Sequence, residues 1–133
     1  MLKIKIISPG KLKEPWLKEA LAEYEKRLTG TVTIEWVLKE TIPDAPYLCL
    51  DPNGKTLTSP AFSKFLYQEW EACGSRLTFV IGGPDGLSPS ILSGARHTLS
   101  FSPLTFTHQA IRLLLLEQIY RATQIEKGTA YHK

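Results

Sequence analysis

Metal and redox chemistry have little to work with in this 133-residue sequence, which holds two cysteines, three histidines and one methionine. Cys49 and Cys73 form no motif, and reduced cytosolic thiols are expected rather than a disulfide. His97, His108 and His132 share no ligand spacing with each other or with the cysteines, so no metal site is predicted. The apolar stretch Leu113–Leu116 falls far short of the roughly 20 residues a bilayer requires, which excludes a membrane span. Nothing resembles a secretory signal. Met1–Ile7 alternates charge with branched apolar residues and runs into Ser8-Pro9-Gly10, the pattern of a strand and a turn. The sequence has no G-x-G-x-x-G fingerprint and no phosphate loop, which disfavours a nucleoside triphosphate or a conventionally bound dinucleotide. There is no serine elbow, Cys–His pairing or isolated carboxylate pair to support covalent or hydrolytic catalysis. Repeats, low-complexity segments and dividing linkers are absent too.

What remains is ordinary for one compact domain: 43% apolar residues, 22% charged, and a net charge of +3 that mildly favours an anionic partner. Strands and helices alternate along it. Leu2–Ile7 reads as a strand, and Pro15 opens a helix carrying Trp16, Leu17, Ala20, Leu21, Tyr24 and Leu28, stopped by Gly30. Thr31–Leu38 is a second strand. Tyr47–Leu50 is a short third, closed by the turn Asp51-Pro52-Asn53-Gly54. Ser59-Pro60 caps a helix carrying Phe62, Phe65, Leu66 and Trp70 and stopped by Gly74, Leu77–Ile81 is a buried strand, and Ser88-Pro89 starts a short helix to about His97. Leu99–Phe101 is a last strand, and Thr107 caps a long helix ending near Lys127 and Gly128. This order predicts a single α/β domain over residues 1–133, a mostly parallel sheet with helices on both faces. One link strains it. The stretch from Leu38 to Tyr47 is short for a parallel crossover, which usually takes a dozen residues or more. A helix-free return and an antiparallel edge strand are the two solutions.

Ligands of open parallel sheets bind beyond the carboxyl ends of the strands. Here that places Leu50, the Gly82–Gly86 loop and the Phe101–Phe106 loop together. The Gly82-Gly83-Pro84-Asp85-Gly86 loop serves either as a tight turn or as a place where backbone approaches a ligand. Phe101–Phe106 is half apolar, so it either plugs the end of the domain or is covered by a ligand ring or another subunit. In the last helix Ile111, Leu114, Leu115, Ile119, Ala122 and Ile125 make one apolar face, which Leu113, Leu116 and Tyr120 widen. A helix this apolar is expected to be buried on two sides, the second against a twin subunit. Glu117 and Arg121 are spaced for an ordinary ion pair. His108 reads as a polar helix-start residue or as a catalytic group. Arg112, Arg121, Lys127, His132 and Lys133 make this the basic end of the chain.

Four segments then carry a resemblance: Phe79-Val-Ile-Gly-Gly-Pro-Asp-Gly-Leu-Ser88, Leu99-Ser-Phe-Ser-Pro-Leu-Thr-Phe-Thr-His-Gln109, Arg112 with Glu117-Gln-Ile-Tyr-Arg-Ala122, and Lys127-Gly-Thr-Ala-Tyr-His-Lys133. With Lys11–Glu14 and Ala22–Arg27, they resemble the SPOUT-class methyltransferases that modify pseudouridine N3 in bacterial 23S rRNA. The resemblance implies a C-terminal trefoil knot, a homodimer, S-adenosyl-L-methionine as cofactor, and ribosomal RNA, within the assembled ribosome, as partner. It places cofactor contacts at Leu50, Gly82, Phe101, Ser102, Pro103, Leu104, Thr105 and Phe106. Catalytic candidates are His108, Arg121, Tyr131 and His132, and RNA-binding candidates are Arg112, Arg121, His132 and Lys133. Three departures stand out. Thr107 and Ala130 replace prolines usual in the family, and residues 39–46 replace a helix usual between the second and third strands. The competing readings are a SPOUT enzyme for another RNA site, a non-catalytic RNA- or ribosome-binding relative, and a flavodoxin-like nucleotide module.

Overall fold

Local sequence sets the helix ends in the computed structural model, which describes Met1–Lys133. Pro15 opens α1 (Pro15–Leu28), where a missing backbone N–H costs nothing. In α2 (Ser59–Ala72) the cap is Thr58 and not Ser59: the Thr58 hydroxyl accepts from the Ala61 N–H at 3.2 Å. Ser59 instead donates to Gln118 at 2.8 Å. Ser88 caps α3 (Pro89–Gly94), which stops short of His97 because that residue already begins a strand. Thr107 caps α4 (His108–Lys127) and Gly128 ends it at φ 72°, a left-handed position that glycine enters without strain.

The strands β1 (Leu2–Ile7), β2 (Val32–Val37), β3 (Leu48–Thr56), β4 (Arg76–Ile81) and β5 (His97–Ser100) form one sheet in the order β2-β1-β4-β3-β5. Every pair is parallel, so the antiparallel alternative for β3 is ruled out. Stagger explains how so short a link suffices. Leu48 lies level with Phe79, Phe79 with Ile6, and Ile6 with Trp36, so β3 begins at the height where β2 ends. The link has to move sideways across β1 and β4, about 14 Å at roughly 4.8 Å per strand, and never descends the sheet.

Asp51–Gly54 does not close β3 as the turn residues suggested. After a bulge, Lys55 and Thr56 pair with Leu99 and Ser100. A Cβ on Gly54 would stand 2.6 Å from the Leu99 carbonyl carbon, so only glycine lets the bulge fold across β5.

The two sheet faces are covered unequally. Ile4, Ile6, Leu48, Leu50, Leu77, Phe79 and Ile81 pack beneath α1, α2 and α4 in the main core. On the other face Ile7, Tyr47, Cys49 and Val80 pack against Ile91, Leu92 and Ala95 in and after α3. Burial raises the Cys49 thiol to about 11. Within α4 the buried face is Arg112, Leu115, Leu116, Ile119, Ala122 and Thr123. It is rotated from the predicted stripe, leaving Leu114 exposed and Ile111 and Ile125 half-buried. No helix is long and apolar enough to cross a membrane.

Candidate active site

The bulge of β3 and the carboxyl ends of β4 and β5 open into a cleft of about 950 Å³. Leu50, Gly82, Phe101, Ser102, Leu104, Thr105 and Phe106 all line it, so residues far apart in sequence meet where the sheet argument placed them. Pro103 is not among the lining residues. Three features of the strand ends build this wall. Gly86 donates to the Gly83 carbonyl at 3.0 Å across Pro84 and Asp85, which folds the loop back as a turn, and Gly86 takes the positive φ of 75°. A Cβ on Gly82 would lie 2.7 Å from the Gly86 carbonyl carbon, whereas one on Gly83 would meet nothing within 4 Å. Gly82 is thus required by the loop itself, and Gly83 borders open cleft. Below the loop, the Ser100 hydroxyl donates to the Ser102 carbonyl at 2.8 Å and accepts from its N–H, fixing the turn out of β5. Phe101 packs edge-on against Phe62, while Leu104 is 69% exposed and Phe106 39%.

Further lining residues lie outside the predicted set: Glu14, Trp16, Asp51 and Ile111 also border the cleft. Trp16 was expected among the core residues of α1, yet it is 55% exposed at the cleft rim. The buried stripe starts at Leu17, which is wholly buried, and Trp16, one residue and about 100° round the helix, is turned toward the rim.

His108 also lines the cleft. Burial and the nearby Arg112 cation lower its pKa, so the ring is neutral at pH 7. Arg112 itself is wholly buried, and its predicted role as an RNA contact does not survive. Its guanidinium donates to the Ser8 hydroxyl (2.7 Å), the Ser8 carbonyl (2.7 Å), the Gly10 carbonyl (2.8 Å) and Gln109 Oε1 (2.8 Å). This cation ties α4 to the turn after β1, and its sequence spacing from His108 gave no sign of that burial.

Arg121, Tyr131 and His132 meet at a second centre, organised by Glu117. One Glu117 oxygen accepts from Arg121 at 3.0 Å and from the Tyr131 hydroxyl at 2.8 Å. Arg121 Nη1 lies 3.0 Å from His132 Nδ1, and its guanidinium stacks over the Tyr131 ring at 4.9 Å. Tyr131 in turn packs edge-on against Tyr120. Burial first, then the bond to Glu117, raise the Tyr131 pKa, so its proton stays on. Lys133 is exposed beyond this cluster. The two centres are separate within one chain. Arg121 lies ten residues beyond Ile111, the last cleft residue of α4, about 15 Å at 1.5 Å per residue. No group of three histidine, cysteine or acidic residues converges to hold a metal ion.

Residues 34–132 match a family model described as "Predicted SPOUT methyltransferase". The Ribosomal RNA large subunit methyltransferase H of Protochlamydia amoebophila (strain UWE25) is 50% identical over 141 residues, covering all of both chains. The chain belongs to the SPOUT methyltransferase family. The Desulfitobacterium hafniense (strain DSM 10664 / DCB-2) protein of the same name is 38% identical over 160 residues, again over both full lengths. In fold, the SPOUT chain resembles a probable methylase family protein from Haemophilus influenzae Rd KW20, with a TM-score of 0.60 at 9% identity. That likeness covers 99% of this chain and 70% of the other.

Proposed function

We propose that the chain is a cytoplasmic methyltransferase that uses S-adenosyl-L-methionine to methylate N3 of a pseudouridine in 23S rRNA, as a homodimer acting on assembled ribosomes. The observation that carries this reading is the gathering of Leu50, Gly82 and the Phe101–Phe106 loop around one cleft. Its volume lies within the roughly 300–1,000 Å³ of small-molecule sites. Its lining suits the cofactor: apolar surface from Leu50, Ile81 and Phe101 for an adenine ring, polar backbone and hydroxyls from Gly83, Ser100 and Ser102. The Gly82–Leu87 and Phe101–Thr107 loops would be the walls of the family's knot.

The cofactor supplies a methyl group on sulfonium sulfur; the protein's contribution is alignment and electrostatics. Pseudouridine N3 carries a proton that must leave, and the tail centre is built of donors. Arg121 can only donate, so His132 Nδ1 accepts its bond and the ring's own N–H lies on Nε2. Tyr131 is held protonated by burial and Glu117. Arg121 and His132 are thus suited to stabilise a developing imide anion as the N3 proton leaves. Neutral His108, at the cleft, remains the side chain able to accept one.

The separation of the two centres supports a homodimer in which the tail of one subunit would complete the cleft of the other. The apolar Leu104, Phe106 and Leu114, all exposed in the single chain, supply a surface for that contact. Mass spectrometry of rRNA after incubating undermethylated ribosomes with protein and cofactor tests the activity, with one added methyl group on a 23S pseudouridine expected. An unmodified 23S rRNA would refute the reading. Calorimetry tests the cleft. Gly82→Ala should weaken cofactor binding about tenfold or more because its Cβ meets Gly86 backbone. Gly83→Ala should leave the loop and the thermal midpoint intact, since that Cβ meets nothing. Gly83→Phe should block binding by filling the cleft, and unchanged affinity in it would move the cofactor elsewhere.

A further inference from the structure

Parallel sheets are ordinarily covered on both faces, and this one is not. On the face opposite α1, α2 and α4, short α3 covers only the carboxyl-end residues, with Ile7, Val37, Cys49 and Val80 in the packed cluster. The amino-end half of that face has no helix over it, and the β2–β3 link contains none. Lys3 aligns with Thr33 of β2 and Arg76 of β4, and Lys5 aligns with Glu35 and Thr78. All are exposed except Thr78, which is half-buried. Lys3 and Lys5 thus stand on the second strand of the sheet, a position where apolar residues would be usual.

We infer that this bare face is a docking platform for the sugar–phosphate backbone of the substrate's RNA, gripped by Lys3, Lys5 and Arg76. None of the three cations is ion-paired, and Glu35 beside Lys5 forms no salt bridge. Lys3 and Lys5 are about 6.6 Å apart along the strand, and Arg76 is one strand spacing, about 4.8 Å, from Lys3. The charges are therefore concentrated on a small area that also holds Thr78 and Thr33, the Thr33 hydroxyl donating to Met1 Sδ at 2.7 Å. Cations and hydroxyls are what phosphate contacts require. A protein partner would instead call for a buried aromatic or aliphatic anchor, and these two rows hold none. Arg76 and Thr78 lie five and three residues before Ile81 at the cleft, about 10–17 Å away at 3.3 Å per residue. This platform would hold RNA flanking the target nucleotide and not the target itself.

The inference rests on the RNA methyltransferase reading, and the test separates the two. Binding of the full-length protein to ribosomes and to protein-free 23S rRNA is measured across a salt series. The triple variant Lys3→Gln, Lys5→Gln, Arg76→Gln should weaken both at least about tenfold and reduce the salt slope by about two to three. KM for ribosomes should rise with kcat and cofactor affinity unchanged. Glu35→Gln removes the one carboxylate of the platform and should tighten binding a few-fold, a gain that damage to the fold cannot imitate. Equal affinity and slope in the triple variant, with the wild type binding normally, overturns the platform alone. A loss seen with ribosomes but not with bare rRNA also overturns it, because the contact would then be ribosomal protein. A wild type that binds no RNA overturns platform and function together.

Discussion

Replacing Arg112 with alanine should lower the stability of the fold by about 3–5 kcal/mol. The guanidinium is wholly buried and has no carboxylate partner, so its charge is compensated only by oriented oxygens. Removing it leaves the Ser8 and Gly10 carbonyls short of a donor and opens a cavity under α4. Each orphaned buried group costs about 1–3 kcal/mol, and the cavity adds to that. Lysine keeps the charge but cannot span the same oxygens with a planar fork, so Arg112→Lys should recover only part of the loss. Urea unfolding of the three proteins checks this. A variant as stable as the wild type that binds RNA poorly would return Arg112 to the surface role its sequence position suggested.

Deleting Tyr131–Lys133 should abolish methylation, by at least about a hundredfold, while cofactor binding and the dimer persist. The truncation removes His132 and the Tyr131 ring beneath Arg121, and leaves Glu117 and Arg121 paired with each other. The cleft lies about 15 Å along α4 from that point and keeps its lining. Mixed dimers sharpen the test. A tail-deleted chain and a cleft-blocked Gly83→Phe chain are each expected to be inactive alone. A heterodimer of the two holds one intact cleft facing one intact tail, if the tail serves the partner's cleft. Random mixing would then restore roughly a quarter of the wild-type activity, half the dimers being mixed with one working site each. If the mixture stays inactive, each tail serves its own chain and the crossed arrangement is wrong.

Much of the architecture was legible because local chemistry and periodicity agreed. Proline at first-turn positions, the Ser88 and Thr107 caps and the Gly128 stop all lie where the chain puts them. The carboxyl-edge rule brings Leu50, Gly82 and the Phe101–Phe106 loop together, and all of them but Pro103 line the cleft. What escaped depends on registers between distant segments. The continuation of β3 past Asp51–Gly54 requires Leu99 to pair twice, with Leu50 and again with Lys55, and no local pattern encodes that. The Arg112 burial depends on the turn after β1 presenting three carbonyls to α4. Arginine in an apolar helix reads as surface charge until those acceptors are located. Glu117 was legible as half of an ion pair, but its bond to Tyr131 needed the tail to fold back.

The step in the sheet bears on how this family can vary. Because β3 starts at the height where β2 stops, the connection between them carries none of the sheet's hydrogen-bond register. Residues can be lost or gained there without shifting β4, β5 or α4, which together frame the cleft. Relatives aligning over 141 and 160 residues with this 133-residue chain differ in length while sharing its full span. The stagger of β3 against β2 thus leaves one segment free to change size while the cleft stays fixed.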